Sequence, residues 1–182
     1  MIKTHKKDLF VFLAICFFVN LLVFGLNPHP DLDFFNYHLY NGWALVNDRL
    51  NTDFMPATFR SYINPYLDAL KFLVIDKLSA HPYLTISVLS LDHTVFLFLI
   101  YKISEVVLAP FRQKYLYIAL SIVYVFCAPI LLDLAGYGYN DIIIADFILL
   151  SFFILIKILF DESKNSVIQT AFAGAVLGIA FG

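Results

Sequence analysis

Asp33 is the residue best suited to general-base chemistry in this chain. With Asp31, it follows the apolar run Leu9–Leu26 and the step Asn27-Pro28-His29-Pro30. An aspartate where an apolar run ends stays ionised at a membrane surface. It could take a proton from a substrate held there, and a solvated loop carboxylate would look the same. Asp33 leads straight into the aromatic segment Phe35–Val46, which would fix its direction. Asp141 opens a later apolar run. Its position suits either the positive end of a helix dipole or the second acidic residue of one site shared with Asp33. Asp133 and Asp146 flank the same turn, where Gly136 and Gly138 would let Tyr137 and Tyr139 bend tightly. Asp92 and His93 lie mid-run, where a charge costs roughly 2.5–3.5 kcal/mol on insertion scales. They suit a functional pair or a hydrogen-bonded link between helices. Among the cations Arg49, Arg60 and Lys71, most positions suit solvation or lipid headgroups. Otherwise one holds a phosphate, for which arginine offers a bidentate fork.

These residues need elements to hold them, and the composition says which kind. The chain has 182 residues, 61% hydrophobic and 14% charged, with mean hydropathy +0.81. A soluble domain averages about 45–50% apolar and about 25% charged, so both departures point to a membrane. The expected architecture is all-α: a polytopic transmembrane helix bundle forming a single membrane domain over 1–182. Five spans are expected, at 9–26, 83–103, 115–134, 142–160 and 167–182, with a long first external loop at 27–82. Lys3, Lys6 and Lys7 precede the first run, and no small-residue cleavage site follows it. It therefore reads as an uncleaved span. The last run ends without a polar flank, which suggests the N-terminal piece of a longer protein.

Pro65–Leu78 decides the topology. Its 14 positions cover about 21 Å as a helix, short of a hydrocarbon core of about 30 Å. It carries Asp68, Lys71, Asp76 and Lys77 beside the stripe Leu67, Leu70, Val74 and Leu78. That pattern predicts an interfacial helix, capped by Asn64 with Pro65 in its first turn. Lys3, Lys6, Lys7, Lys102, Arg112, Lys114, Lys157 and Lys164 then fall on the cytoplasmic side, against Arg49, Arg60, Lys71 and Lys77 outside. This obeys the positive-inside rule. The expected protein is multi-pass in the plasma (inner) membrane, with its N-terminus in the cytoplasm. Phe35–Val46 predicts a second surface helix, its Tyr37, Tyr40 and Trp43 at headgroup level.

Several classes are excluded. The net charge of −2 offers no basic surface for nucleic acid. No GxGxxG, Walker loop, GxSxG or HExxH occurs. Cys16 and Cys127 sit inside apolar runs with no metal or disulfide spacing, and read as small buried apolar residues.

Taken together, a basic start, one span, Asp33-x-x-x-Tyr37, Ala44, Pro56 and the step Asn64-Pro65 opening an apolar helix resemble the GT-C superfamily. These are polytopic glycosyltransferases that use polyprenyl-phosphate sugars. The resemblance implies a first external loop carrying a catalytic aspartate, Asp33, and a second acidic position in the next external loop, Asp141. It implies substrate contacts from Arg60, Tyr37 and Asn64. Many members have Lys-Pro-Pro where this chain has Asn64, Pro65 and Tyr66, and Arg60 would replace that lysine at the carrier phosphate. The implied reaction moves a sugar from the carrier to an acceptor by inverting displacement, with no general acid because phosphate leaves readily. The partners are the bilayer, a polyprenyl-phosphate-linked sugar and an acceptor of unknown identity; a divalent cation at Asp141 is an open cofactor.

Two rival readings stand beside it. One is a non-enzymatic membrane protein, a transporter part or assembly subunit, with Asp92 and His93 on a path or contact. The other is an inactive truncated family member.

Overall fold

A computed structural model describes residues 2–26, 32–54, 60, 64–137, 139–160 and 166–181. Asp31, Pro56, Gly138 and the turn at 161–165 lie outside the described residues. Among those described, every regular element is helical. The order is α1 (Ile2–Leu26), a π-helical segment (Phe34–Leu39) running directly into α2 (Tyr40–Val46), α3 (Tyr66–Leu78), α4 (Pro82–Leu89), α5 (Leu91–Val107), α6 (Lys114–Phe126), α7 (Pro129–Asp133), α8 (Asn140–Phe160) and α9 (Ser166–Phe181).

Three helical stretches are long and apolar enough to cross a membrane: Lys6–Leu26, Pro82–Val107 and Asn140–Phe160. Twenty-one residues rise about 32 Å, enough for a core of about 30 Å. Only 17% of the apolar window in the first and third stretches is buried. Phe10, Leu13, Phe17 and Phe152 point outward. Against water each would leave apolar area exposed at about 25 cal/mol per Å², and hydrocarbon surroundings remove that cost.

The remaining two expected spans are shorter. The run at 115–134 is divided into α6 and α7, because Pro129 has no N–H to continue the ladder and disfavours helical backbone at Ala128. Cys127 caps α6 and is exposed rather than buried, whereas Cys16 is half-buried. The final apolar helix covers Val167–Ala180. The stretch Pro82–Val107 is interrupted at Ser90, whose hydroxyl donates back to the Ile86 carbonyl at 2.7 Å.

The chain forms two compact units. The first comprises 1–19, 92–133 and 141–182. In it, Phe12 meets Phe98 edge to face at 5.4 Å, and the Ser151 hydroxyl donates to the Ala173 carbonyl at 2.9 Å, joining α8 to α9. Near the start of α1, Lys7 pairs with Glu105 at 2.6 Å, while Lys102 donates to Asp8 at 2.9 Å and to Glu105 at 3.0 Å. These four charges cancel across α1 and α5.

The second unit comprises 20–91 and 134–140. Its centre is the packing of α2 on α3. A Cβ added at Gly42 would fall inside the Asp68 carbonyl group and 2.8 Å from the Phe72 Cβ, so only glycine permits this approach. Helix α3 forms where expected, with the Asn64 side chain accepting from the Tyr66 amide at 3.1 Å and Pro65 at the cap position. The faces of α3 are a surprise. Asp68 and Lys71 are 3% and 7% exposed, whereas Leu70 of the expected stripe is 58% exposed. Asp68 and Lys71 turn inward to partners at His38 and the Tyr139 carbonyl, while Asp76 and Lys77 stay exposed.

Gly42→Ala should overpack this contact and lower stability by about 1–3 kcal/mol. Thermal unfolding of the detergent-solubilised variant beside wild type measures the loss, and an unchanged midpoint would refute the close approach.

Candidate functional site

The segment from Asp33 to Arg60 brings together three of the five sequence-predicted site residues. The Arg60 guanidinium donates to Asp33 Oδ1 at 2.7 Å and lies over the Tyr37 ring, 4.6 Å from its centroid. Asp33 is 49% exposed and Arg60 37% exposed at the side chain, so the pair is open to a ligand. An ion pair this exposed contributes little to stability, about 0–1 kcal/mol. Its interest is chemical: an exposed carboxylate and guanidinium stand side by side, with the cation over an aromatic ring. Asn41, fully buried, donates to the Arg60 carbonyl at 2.9 Å and so fixes the arginine's backbone as well. Of the other two, Asn64 serves the start of α3. Asp141 stands exposed in the first turn of α8 and belongs to the other unit.

Behind this opening lies a buried polar cluster that sequence reasoning did not single out. Asp68 Oδ1 is 2.8 Å from His38 Nδ1 and accepts from Asn140 Nδ2 at 2.7 Å. The Asp68 carboxyl thus joins the imidazole of His38 to the amide of Asn140. Lys71 donates its ammonium to the Tyr139 carbonyl, and the His38 and Tyr139 rings meet edge to face at 5.3 Å. His38, Asp68, Lys71, Phe34 and Phe72 line a cavity of about 10 Å³, room for one water. Removing one partner from such a buried charged set costs about 3–5 kcal/mol. The sequence offered no signal beyond placing His38 and Asp68 on two segments that each read as a surface helix. Lys71 was read as a surface cation and is instead buried.

The first unit holds a second buried pair. His93 Nδ1 is 2.7 Å from Asp92 Oδ1, and its Nε2 is 3.2 Å from the Leu131 carbonyl. A carbonyl only accepts, so Nε2 carries a proton. Asp146 on α8 has a buried Oδ1 with no hydrogen-bond partner among the described residues. No group of three or more His, Cys, Asp or Glu suited to a metal occurs among the described residues, so the open divalent cation finds no support there.

At the end of α2 the chain turns through Asp48, which adopts a left-handed φ of 55°. Arg49 donates to Asp53 at 2.5 Å and 3.2 Å, and the Tyr40 hydroxyl donates to Asp53 at 2.5 Å. The Arg49 hydrogen bond foremost, and then that of Tyr40, hold the Asp53 carboxyl below its ordinary value of 3.8. A depressed carboxyl contributes its stabilisation above its ordinary value and loses it as pH falls through the depressed one. The amides of Thr52 and Asp53, which donate to the Arg49 carbonyl, should therefore lose exchange protection as pH falls below 3.8. Asp53→Asn should flatten that acid dependence. Protection that tracks pH equally in both proteins would remove Asp53 as the cause.

No protein-family model, curated protein or solved structure matches this chain, so its chemistry is argued from its own side chains.

Proposed function

We propose that this chain is the catalytic side of a multi-pass membrane glycosyltransferase. It moves a sugar from a polyprenyl-phosphate carrier to an acceptor hydroxyl on the non-cytosolic face, with the N-terminus in the cytoplasm. The observation that carries the reading is the Asp33–Arg60 pair laid over Tyr37. It supplies the two things such a transfer needs in one opening, a proton acceptor and a fixed cation. The acceptor oxygen attacks the anomeric carbon, and its proton passes to Asp33. The bond from that carbon to the phosphate oxygen breaks, and the electron pair leaves with the phosphate, whose growing charge Arg60 stabilises. Attack opposite the leaving group inverts the anomeric centre. Tyr37 holds the guanidinium, and Asn64 lines the start of α3.

The helices support the setting. A lipid-linked sugar keeps its reactive bond near the bilayer surface, and the Asp33–Arg60 segment follows a helix long and apolar enough to span.

Asp33→Asn should abolish transfer by the full-length protein while insertion stays intact. Arg60→Ala, which removes the group that takes up the phosphate's growing charge, should lower kcat for transfer. Removal of one transition-state donor typically costs about 10²–10³-fold in rate. Radiolabelled sugar transfer in inverted and right-side-out vesicles reads both activity and sidedness. Wild-type rates from Asp33→Asn would end the general-base assignment.

One observation favours the rival class. Asp92, His93 and Asp146 put three ionisable groups inside apolar helices, where such groups often mark proton or ion paths. On that reading, Asp92→Asn should eliminate a proton flux measured in proteoliposomes, while Asp33→Asn leaves it unaltered.

A further inference from the structure

The Arg60 opening is braced from behind by a continuous line of side chains. Asp68 holds His38 at 2.8 Å. The His38 ring lies against the Tyr37 ring at 4.1 Å between centroids, tilted by 38°. Tyr37 in turn carries Arg60 on its other side of the line, at 4.6 Å. The π-helical segment Phe34–Leu39 makes this possible. Its wider turn lets the consecutive residues Tyr37 and His38 set their rings side by side, and such segments recur at functional sites. The close approach at Gly42 fixes Asp68 against α2.

Stability alone explains this poorly. Buried charged groups usually add less than well-packed apolar residues of the same volume would. What a carboxylate–imidazole pair supplies instead is direction: it holds one ring orientation and one tautomer. That direction is passed through Tyr37 to the one arginine described in the opening.

We propose that His38 and Asp68 are positioning residues for an anion site at Arg60, which takes the phosphate of a lipid-linked phosphate ester. This rests on the reading of Arg60 given above and adds the residues that set its geometry. Neither His38 nor Asp68 touches the ligand. They hold Tyr37, Tyr37 holds the guanidinium plane, and the plane selects phosphate over a neutral headgroup.

The test uses the full chain in phosphatidylcholine nanodiscs. Binding of radiolabelled polyprenyl phosphate is compared with that of the corresponding polyprenol, and inorganic phosphate is added as competitor. The quantity read is the preference for phosphate over alcohol. General misfolding lowers both affinities and leaves no specific loss of that preference. Wild type should prefer the phosphate by about tenfold or more, the worth of one charge-assisted hydrogen bond, and Arg60→Ala should erase the preference. His38→Leu and Asp68→Ala should cut it at least about fivefold while polyprenol binding holds. Asp68→Asn, which still accepts from His38, should restore it to within about twofold. Tyr37→Leu, at a half-buried position, should reproduce the loss where the buried variants fail to insert. A preference lost in Arg60→Ala but intact in the His38, Asp68 and Tyr37 variants overturns the positioning role alone. No preference in wild type, or one untouched by Arg60→Ala, overturns the phosphate reading and the positioning role together. Displacement by inorganic phosphate at equal concentration makes the site one for free phosphate and overturns the lipid-linked assignment.

Discussion

The close approach of α2 to α3 at Gly42 is the constraint on which the second unit depends. With no Cβ at that position, the Asp68 backbone can lie against α2. Its side chain then reaches His38 and Asn140. Any larger residue would push the helices apart and take the carboxylate out of hydrogen-bonding range of the imidazole. A buried aspartate without partners is among the more expensive things a fold can contain. The contact at Gly42 and the bonds at Asp68 therefore stand or fall as a unit.

From that contact the polar groups sort into two layers. The inner layer, Asp68, His38, Lys71 and the Tyr139 carbonyl, is hidden from both water and lipid. The outer layer, Asp33, Arg60 and Tyr37, is open. The layers touch at one place, the paired rings of Tyr37 and His38. A rigid inner layer and an accessible outer one is what a recognition site needs, because geometry set by buried bonds is not renegotiated when a ligand arrives.

Much of this was legible in the sequence because it follows from local rules. Length and apolar content located the spanning stretches at the N-terminus, after Pro82 and after Asn140. Asn64 and Pro65 announced the start of α3. Gly136 marked a turn and indeed has a φ of 82°. Asp33, Tyr37 and Arg60 were grouped as site residues, and they are neighbours. What escaped were facts that depend on which side of a helix is wet. The α3 pattern predicts an apolar stripe and a polar face equally well in water or lipid. Periodicity does not reveal that Asp68 and Lys71 turn inward while Leu70 turns out. His38 escaped because its partner lies thirty positions away, and nothing local distinguishes it from any surface histidine. The division of the run at 115–134 was readable from Pro129, and the apolar content on both sides concealed it.

The Asp92–His93 pair has a consequence for how the protein enters the bilayer. The Asp92 carboxyl and the His93 ring are hydrogen-bonded to each other, so the acid's partner is its own neighbour in sequence. A lone ionised aspartate at mid-span would cost about 2.5–3.5 kcal/mol during insertion. The adjacent imidazole offers that acid a hydrogen-bond partner within the same helix. Where this stretch crosses a bilayer, the acid would enter the lipid with its hydrogen-bond partner already beside it, and the Leu131 carbonyl would add a second contact once α7 is in place.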